Sequence, residues 1–296
     1  MLSSSFEEKI IKLSLWLIMN LGISSLGFIV EYGQVKKDEY SSLLDLLLDA
    51  SQACLKFSED HGFEVCELIV DPPEVFSQEN KQKFVDLCNS YSFEIQIHGP
   101  FIDMGLCSHN EKISEASVQS YIETAKICEE IKATTLTIHP GVANFLINSI
   151  KGYNQKRLKH AVMKLLEATK DVDVMICMEN MPQNAKILLD EKEMEQFFLE
   201  IDREDLFFTY DTSHAWTCDT DIEYLWEKLH PLIKNVHLVD NFEKKSDTHP
   251  ALGSGKIDFG AIFDLIKKYN YQRSLIIELS RASDLEQSIE FIQQYL

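Results

Sequence analysis

The sequence contains no run of about 20 apolar residues, no N-x-Ser/Thr sequon, no Cys-x-x-Cys pair and no low-complexity or Pro/Gly-rich stretch. Its most apolar stretch, Ile10–Met19 (IIKLSLWLIM), is too short to span a bilayer. It follows Glu7 and Glu8 instead of a basic region, and no small-residue cleavage site follows it, so neither a signal peptide nor a membrane anchor is expected. The seven cysteines (Cys54, Cys66, Cys88, Cys107, Cys128, Cys177 and Cys218) are odd in number. They read as free, mostly buried thiols of a reducing compartment, and the expected location is cytoplasmic. Positive charge is also scarce: 28 Lys and Arg against 48 Asp and Glu, a formal net charge of −20. Duplex affinity rests on cations at phosphates, so a broad nucleic-acid face is not expected, and neither is attraction to an anionic membrane. The stretch Gly22–Gly33 lacks the G-x-G-x-x-G turn that would follow the first strand of a doubly wound dinucleotide fold.

What is present is an alternation. Strand-like apolar runs occur at Leu21–Phe28, Val65–Val70, Phe93–His98, Thr134–His139, Val174–Glu179, Leu206–Asp211, Ile233–Leu238 and Ser274–Glu278. Helical patterns fall between them at Tyr40–Glu59, Gln78–Tyr91, Ser114–Ile131, Gln155–Thr169, Glu191–Glu200, Ile222–Leu229 and Phe259–Tyr269, and Asp284–Tyr295 closes the chain. Strands alternating with helices of this length imply parallel strands and crossover helices. Eight such units in 296 residues predict an α/β fold, a single-domain (β/α)8 TIM barrel over residues 19–296. Residues 1–18 read as an N-terminal extension, either an extra amphipathic helix or the product of an upstream start site.

The strand ends carry the chemistry. The third run ends in His98, the fourth in His139, the fifth in Glu179 and the sixth in Asp211, with His214 in the following turn; His237 lies in the seventh and Glu278 ends the eighth. In a barrel these carboxyl ends share one rim. Taken singly, a histidine there is usually a packed core residue and an acid usually a helix cap. Taken together over six strands, converging carboxylates would repel unless cations lay between them. Imidazole mixed with carboxylate suits Zn²⁺, Mn²⁺ or Fe²⁺. Asp247 and His249, two apart in a loop, add a further pair, and Gly253-Ser254-Gly255 behind them could pass close to a phosphate. His109 lies in a loop that could reach the rim, whereas His61, His160 and His230 read as surface or packing residues. The basic run Lys151, Lys156, Arg157 and Lys159 reads as a solvated helix face.

The motifs HGPF, IHPG, MEN, YDTSH, VHLVD, DTHPALGSG and IIELS, in this order from about Leu21 onward, resemble the xylose isomerase-like barrel superfamily. That group includes sugar and sugar-phosphate isomerases and epimerases and the endonuclease IV-type apurinic endonucleases. The resemblance to the epimerase branch implies a metal held by Glu179, Asp211, His237 and Glu278. The resemblance to the endonuclease branch implies three zinc ions: one at His98, His139 and Glu179, one at Glu179, Asp211, His237 and Glu278, and one at His214, Asp247 and His249. One to three divalent ions (Zn, Mn, Co or Mg) are therefore expected. The sequence departs from the endonuclease branch at Met104, where an Asn stands, at Phe207-Phe208-Thr209 before Asp211, at Val239 in place of Asn, and in a shorter loop before Asp247. Those loops grip DNA in that branch. The expectation is a metal-dependent isomerase or epimerase of a sugar or sugar phosphate, with Glu179 and Glu278 as acid and base and Lys256 near a phosphate. The alternative is the apurinic endonuclease, and only that alternative calls for DNA as a partner.

Overall fold

The computed structural model describes residues 20–76, 78–147, 150 and 152–295. The expected helix within residues 1–18 and Lys151 lie outside them. Eight parallel strands close a barrel in sequence order: β1 (Leu21–Ser24), β2 (Val65–Ile69), β3 (Glu94–His98), β4 (Thr135–Ile138), β5 (Met175–Glu179), β6 (Leu206–Asp211), β7 (Ile233–Leu238) and β8 (Ser274–Ile277). Closure is made by β1 against β8, with Ile23 opposite Ile277. Around the strands lie α1 (Leu26–Val35), α2 (Leu43–His61), α3 (Gln78–Asn89), α4 (Glu111–Ile131), α5 (Tyr153–Thr169), α6 (Glu191–Ile201), α7 (Thr212–Thr217), α8 (Ile222–Leu229), α9 (Phe259–Lys268) and α10 (Leu285–Ile292).

Local chemistry explains the helix boundaries. Ser42, Asn110, Asp190, Asp221 and Asp258 each accept a backbone N–H of the first turn through the side chain, satisfying donors that the helix cannot. The chain leaves α2 at Gly62, whose φ of 71° is the left-handed conformation that glycine adopts without cost. No helix among the described residues is long and apolar enough to cross a membrane. The seven cysteines are free, and all but Cys218 are buried.

The structure corrects the first expected strand, Leu21–Phe28. Only Leu21–Ser24 is strand, and Leu26 starts a helix. Ser25 makes the break: its N–H donates to the Glu67 carbonyl and its Oγ accepts from the Ile69 N–H, so the side chain ends the ladder. The apolar character of Leu26 to Val30 serves a helix face instead of a pleat. Gly22 is required where β1 meets β2, since a Cβ there would sit 2.3 Å from the Val65 carbonyl oxygen.

Alternation along the strands positions the site. Inward-facing residues recur every second position, and the barrel interior beneath the rim is polar. Thr137 and Thr209 share a hydrogen bond at 2.9 Å, Gln96 donates to Ser274, and Asn235 donates to Glu67. Two residues further along β3, β6 and β7, and just past the end of β4, the same faces present His98, Asp211, His237 and His139.

Candidate metal centre

All nine ligand-type residues expected from the sequence meet at this rim. They form close groups of His98, His139 and Glu179; His98, His237 and Glu278; Glu179, Asp211 and His214; and His214, Asp247 and His249, in each of which one ligand atom per residue lies within 4.8 Å of the others. Glu179 is the hub. Its Oε2 accepts from His139 Nε2 at 2.6 Å and lies 3.6 Å from His98 Nε2, while its Oε1 lies 3.0 Å from His237 Nδ1. His237 Nδ1 is also 3.7 Å from Glu278 Oε2 and 4.0 Å from Asp211 Oδ2. A second focus is Asp247 Oδ2, 2.9 Å from both His214 Nε2 and His249 Nε2.

The orientation of each ring is set by what its far nitrogen meets. His98 Nδ1 donates to the Gly99 carbonyl at 2.8 Å, and His214 Nδ1 donates to the Asn180 carbonyl at 2.8 Å. Both rings therefore turn Nε2 toward the cluster, as metal-ligating histidines do. His139 is placed through its backbone: its N–H donates to the Tyr121 hydroxyl, which donates to the Pro100 carbonyl. Asp211 caps α7 through Oδ1, at 2.7 Å from the His214 N–H, leaving Oδ2 facing inward. His249 holds a left-handed backbone, φ 46°, unusual for a side-chain-bearing residue, and its carbonyl is held by the N–H and hydroxyl of Ser280.

Electrostatics follow from burial among opposite charges. Burial alone would raise the Glu179 carboxyl, yet His237 and His139 hold it well below the usual range. For Asp211, burial and the nearby Glu179 and Asp247 carboxylates outweigh His214 and push its pKa up to about 7. Against burial, Glu179, Glu67 and Glu278 bring His98 up to about 9, and Asp211 and Asp247 bring His214 up to about 10. His139 moves the other way, because burial and the neighbouring His98 and His214 outweigh Glu179. The Glu278 carboxyl is drawn down to about 2, burial being overcome by His237 and His249.

The residues fit a divalent cation. Asp211 Oδ2 and Glu278 Oε2 are buried carboxylate oxygens without a hydrogen-bond partner, and both approach His237 Nδ1. Unpartnered buried carboxylate oxygens are costly, and bound cations would relieve that cost; the close groups place Asp211 with Glu179 and His214, and Glu278 with His98 and His237.

Sequence reasoning missed Glu67. It lies wholly buried inside the barrel, and its carboxylate sits 3.1 Å from His237 Nε2. A lone acid in an apolar strand carries little signal. Only its inward register on β2, opposite Gln96 of β3, could have pointed to it. It missed Asp240 as well, whose carboxylate accepts the N–H groups of Gly253, Gly255 and Ile257. That corrects the reading of Gly253-Ser254-Gly255 as a phosphate cradle: the amides that would bind an anion are spent on Asp240, and Lys256 beside them is exposed. His109 is not in the cluster. It stacks on Tyr153 and bonds Asn154. His61 and His230 pack on Phe57 and Tyr269, as expected for packing residues.

Comparison with known proteins accords with this architecture. The family model for the xylose isomerase-like TIM barrel matches residues 55–295. An uncharacterized protein of Methanocaldococcus jannaschii is 26% identical over 98% of this chain and 94% of its own length. A probable endonuclease 4 of Aquifex aeolicus is 24% identical over 72% of this chain and 81% of its own. Among solved structures, a D-tagatose 3-epimerase-like protein superposes with a TM-score of 0.77 at 23% identity, covering 94% of this chain and 97% of that one.

Proposed function

The chain belongs to the xylose isomerase-like TIM barrel family, and from that membership and its rim geometry we propose that it is a metal-dependent isomerase or epimerase of a ketose-type sugar. The observation that carries the reading is the pair of unpartnered oxygens, Asp211 Oδ2 and Glu278 Oε2, approaching His237 Nδ1 beside Glu179. Glu179, Asp211, His237 and Glu278 would hold the ion. A divalent cation there supplies Lewis acidity, polarising a carbonyl and acidifying the neighbouring C–H.

The chain's own residues supply the proton transfers. Glu179 and Glu278 enter from β5 and from the end of β8, so a substrate between them meets one carboxyl group on each side. One removes the carbon-bound proton. Return of a proton from the same carboxyl to the adjacent carbon, with the hydroxyl proton passing to the former carbonyl oxygen, gives isomerisation; delivery from the other, to the opposite face of the same carbon, gives epimerisation. His139 and His98 hold Glu179, and His249, 3.3 Å from Glu278 Oε1, holds its partner.

A second reading is metal-assisted phosphodiester cleavage at an abasic site. It is favoured by the separate triad His214, Asp247 and His249, which offers a further ion position, and by the endonuclease relatives. The net charge of −20 speaks against a DNA face. The test joins metal analysis by mass spectrometry to two assays, incision of an abasic duplex and interconversion of a panel of ketoses. Metal-dependent interconversion without incision is expected. Robust incision with a full trinuclear zinc complement would overturn the proposal.

A further inference from the structure

The histidine and carboxylate chamber is small, about 140 Å³, and it adjoins a much larger cleft of about 720 Å³. Leu26, Ile69 and Phe101 form walls of both. The cleft lies over the β1, β2 and β3 ends. Most of its wall is hydrocarbon: Val30, Leu47, Pro100, Ile102, Met104 and Ile113 among others. Among the described residues its charged lining groups are all carboxylates, Asp71, Glu74 and Asp103, and no Lys, Arg or His contributes to it. Leu43, Ile102 and Ile113 line it while remaining 45%, 59% and 45% exposed, which leaves apolar side chains facing water at its mouth. The wall is pre-formed: Asp71 Oδ2 accepts the N–H groups of Phe101 and Ile102 at 3.0 and 2.9 Å, fixing the turn after β3.

A cavity of this size, apolar and contiguous with a reactive centre, has the character of a small-molecule site. Its chemistry selects the occupant. A phosphate placed there would face three carboxylates with no counter-charge, a built-in rejection. The Gly253–Gly255 amides offer no substitute, being bonded to Asp240. Lysines do occur near the rim, at Lys186, Lys244 and Lys245, but they line a separate pocket that meets the chamber only at Asp247, and Lys244 is engaged by the Trp216 carbonyl and by Asp219.

Building on the isomerase or epimerase reading, we propose that the substrate is an unphosphorylated ketose-type α-hydroxyketone whose chain carries an apolar alkyl or aryl substituent in place of part of its hydroxyls. The vicinal oxygens enter the chamber and the substituent fills the cleft. A plain polyol would leave this cleft unused, and a phosphate ester would be electrostatically opposed there.

The test is calorimetric titration of the full chain loaded with Mn²⁺ or Co²⁺. Its ligands are a series of 1-hydroxy-2-alkanones of increasing chain length, with dihydroxyacetone and dihydroxyacetone phosphate as the polar pair. Affinity should rise with chain length, by up to about fourfold per methylene buried, and the phosphate should bind more weakly than its parent. Ile113→Glu, a change at the half-exposed mouth, should remove the chain-length dependence and leave the shortest ligand unaffected. Metal-dependent binding that is flat in chain length, or tighter binding of the phosphate, would overturn the cleft assignment alone. So would self-association abolished by Ile113→Glu, which would make the cleft an interface between copies. Failure of even the shortest hydroxyketone to bind in a metal-dependent way would instead overturn the metal-centre reading beneath it.

Discussion

The carboxylate of Glu67 lies 3.1 Å from Nε2 of His237, on the side of the ring turned away from the cluster, while Nδ1 of the same ring points at Glu179 from 3.0 Å. Both side chains are fully buried. An acid that accepts the far N–H of a ligand imidazole fixes its tautomer and raises its basicity. Glu67→Gln keeps an acceptor for Asn235 but removes that charge. It should weaken binding of Zn²⁺ or Co²⁺ by about tenfold or more, measured by competition with a chelator. Unchanged affinity would leave Glu67 a purely structural residue of the barrel interior.

Glu179 lies within 3.6 Å of four histidines and is the proposed base or acid, so Glu179→Gln separates chemistry from fold. Turnover should fall by about 10³-fold, in the range that removal of a general base produces. Circular dichroism should show the barrel retained. Residual turnover near the wild-type rate would take Glu179 out of the mechanism.

The two foci of the rim can be separated by stoichiometry. Asp247→Ala removes the oxygen shared by His214 and His249 and leaves the residues around His237 in place. Mass spectrometry should find one fewer bound ion per chain where the triad holds an ion of its own, with the remaining ion retained through gel filtration. Loss of all metal from this variant would make the rim a single indivisible site.

The metal-free protein should lose stability as pH rises. His98, at about 9, and His214, at about 10, have folded-state values above the ordinary imidazole value, so their stabilising contribution is complete below about pH 6.5 and disappears as pH climbs through 9 and 10. Asp211, raised to about 7, acts in the same direction, its share being lost between about pH 4 and 7. Glu278, lowered to about 2, acts oppositely and only under acid conditions. Metal ligation requires these histidines neutral, so the stabilisation conferred by added metal should grow over the range in which the metal-free protein weakens. Thermal melts between pH 6.5 and 9, with and without Co²⁺, check both slopes. A metal-free melting temperature that rises with pH would contradict the charge arrangement described.

Asp240 ties the loop carrying Asp247 and His249 to the segment after it, through three accepted N–H groups. Asp240→Ala should destabilise the protein by about 3 kcal/mol, since bonds to a charged acceptor are worth roughly 1.5–3 kcal/mol each and water replaces part of the loss. Urea denaturation measures it. A change below about 0.5 kcal/mol, the ordinary scale of surface substitutions, would show that the loop holds itself.

The barrel and the ligand-type residues were legible from the chain because both depend on periodicity. Alternating βα units predict parallel closure, and an acid or histidine at each strand end lands on one rim whatever the detailed packing. The misreadings came where side chains compete with backbone. Ser25 stopped β1 early through its hydroxyl, and Asp240 occupied the amides of a glycine loop that composition alone presented as an anion cradle.

Strand order and side-chain alternation by themselves determined which residues face the axis at the rim, because a period of two leaves no freedom about the face. Only the closed tertiary structure decided how those residues group. His237 gathers Glu67 from below and Glu179, Asp211 and Glu278 from above, across strands far apart in the chain. The acidic, hydrocarbon-walled cleft beside them arises from α1, α2, α4 and the turns after β2 and β3 packing together. Distances between side chains on different elements are set by strand tilt and helix packing, which many non-local contacts fix jointly and no local pattern encodes.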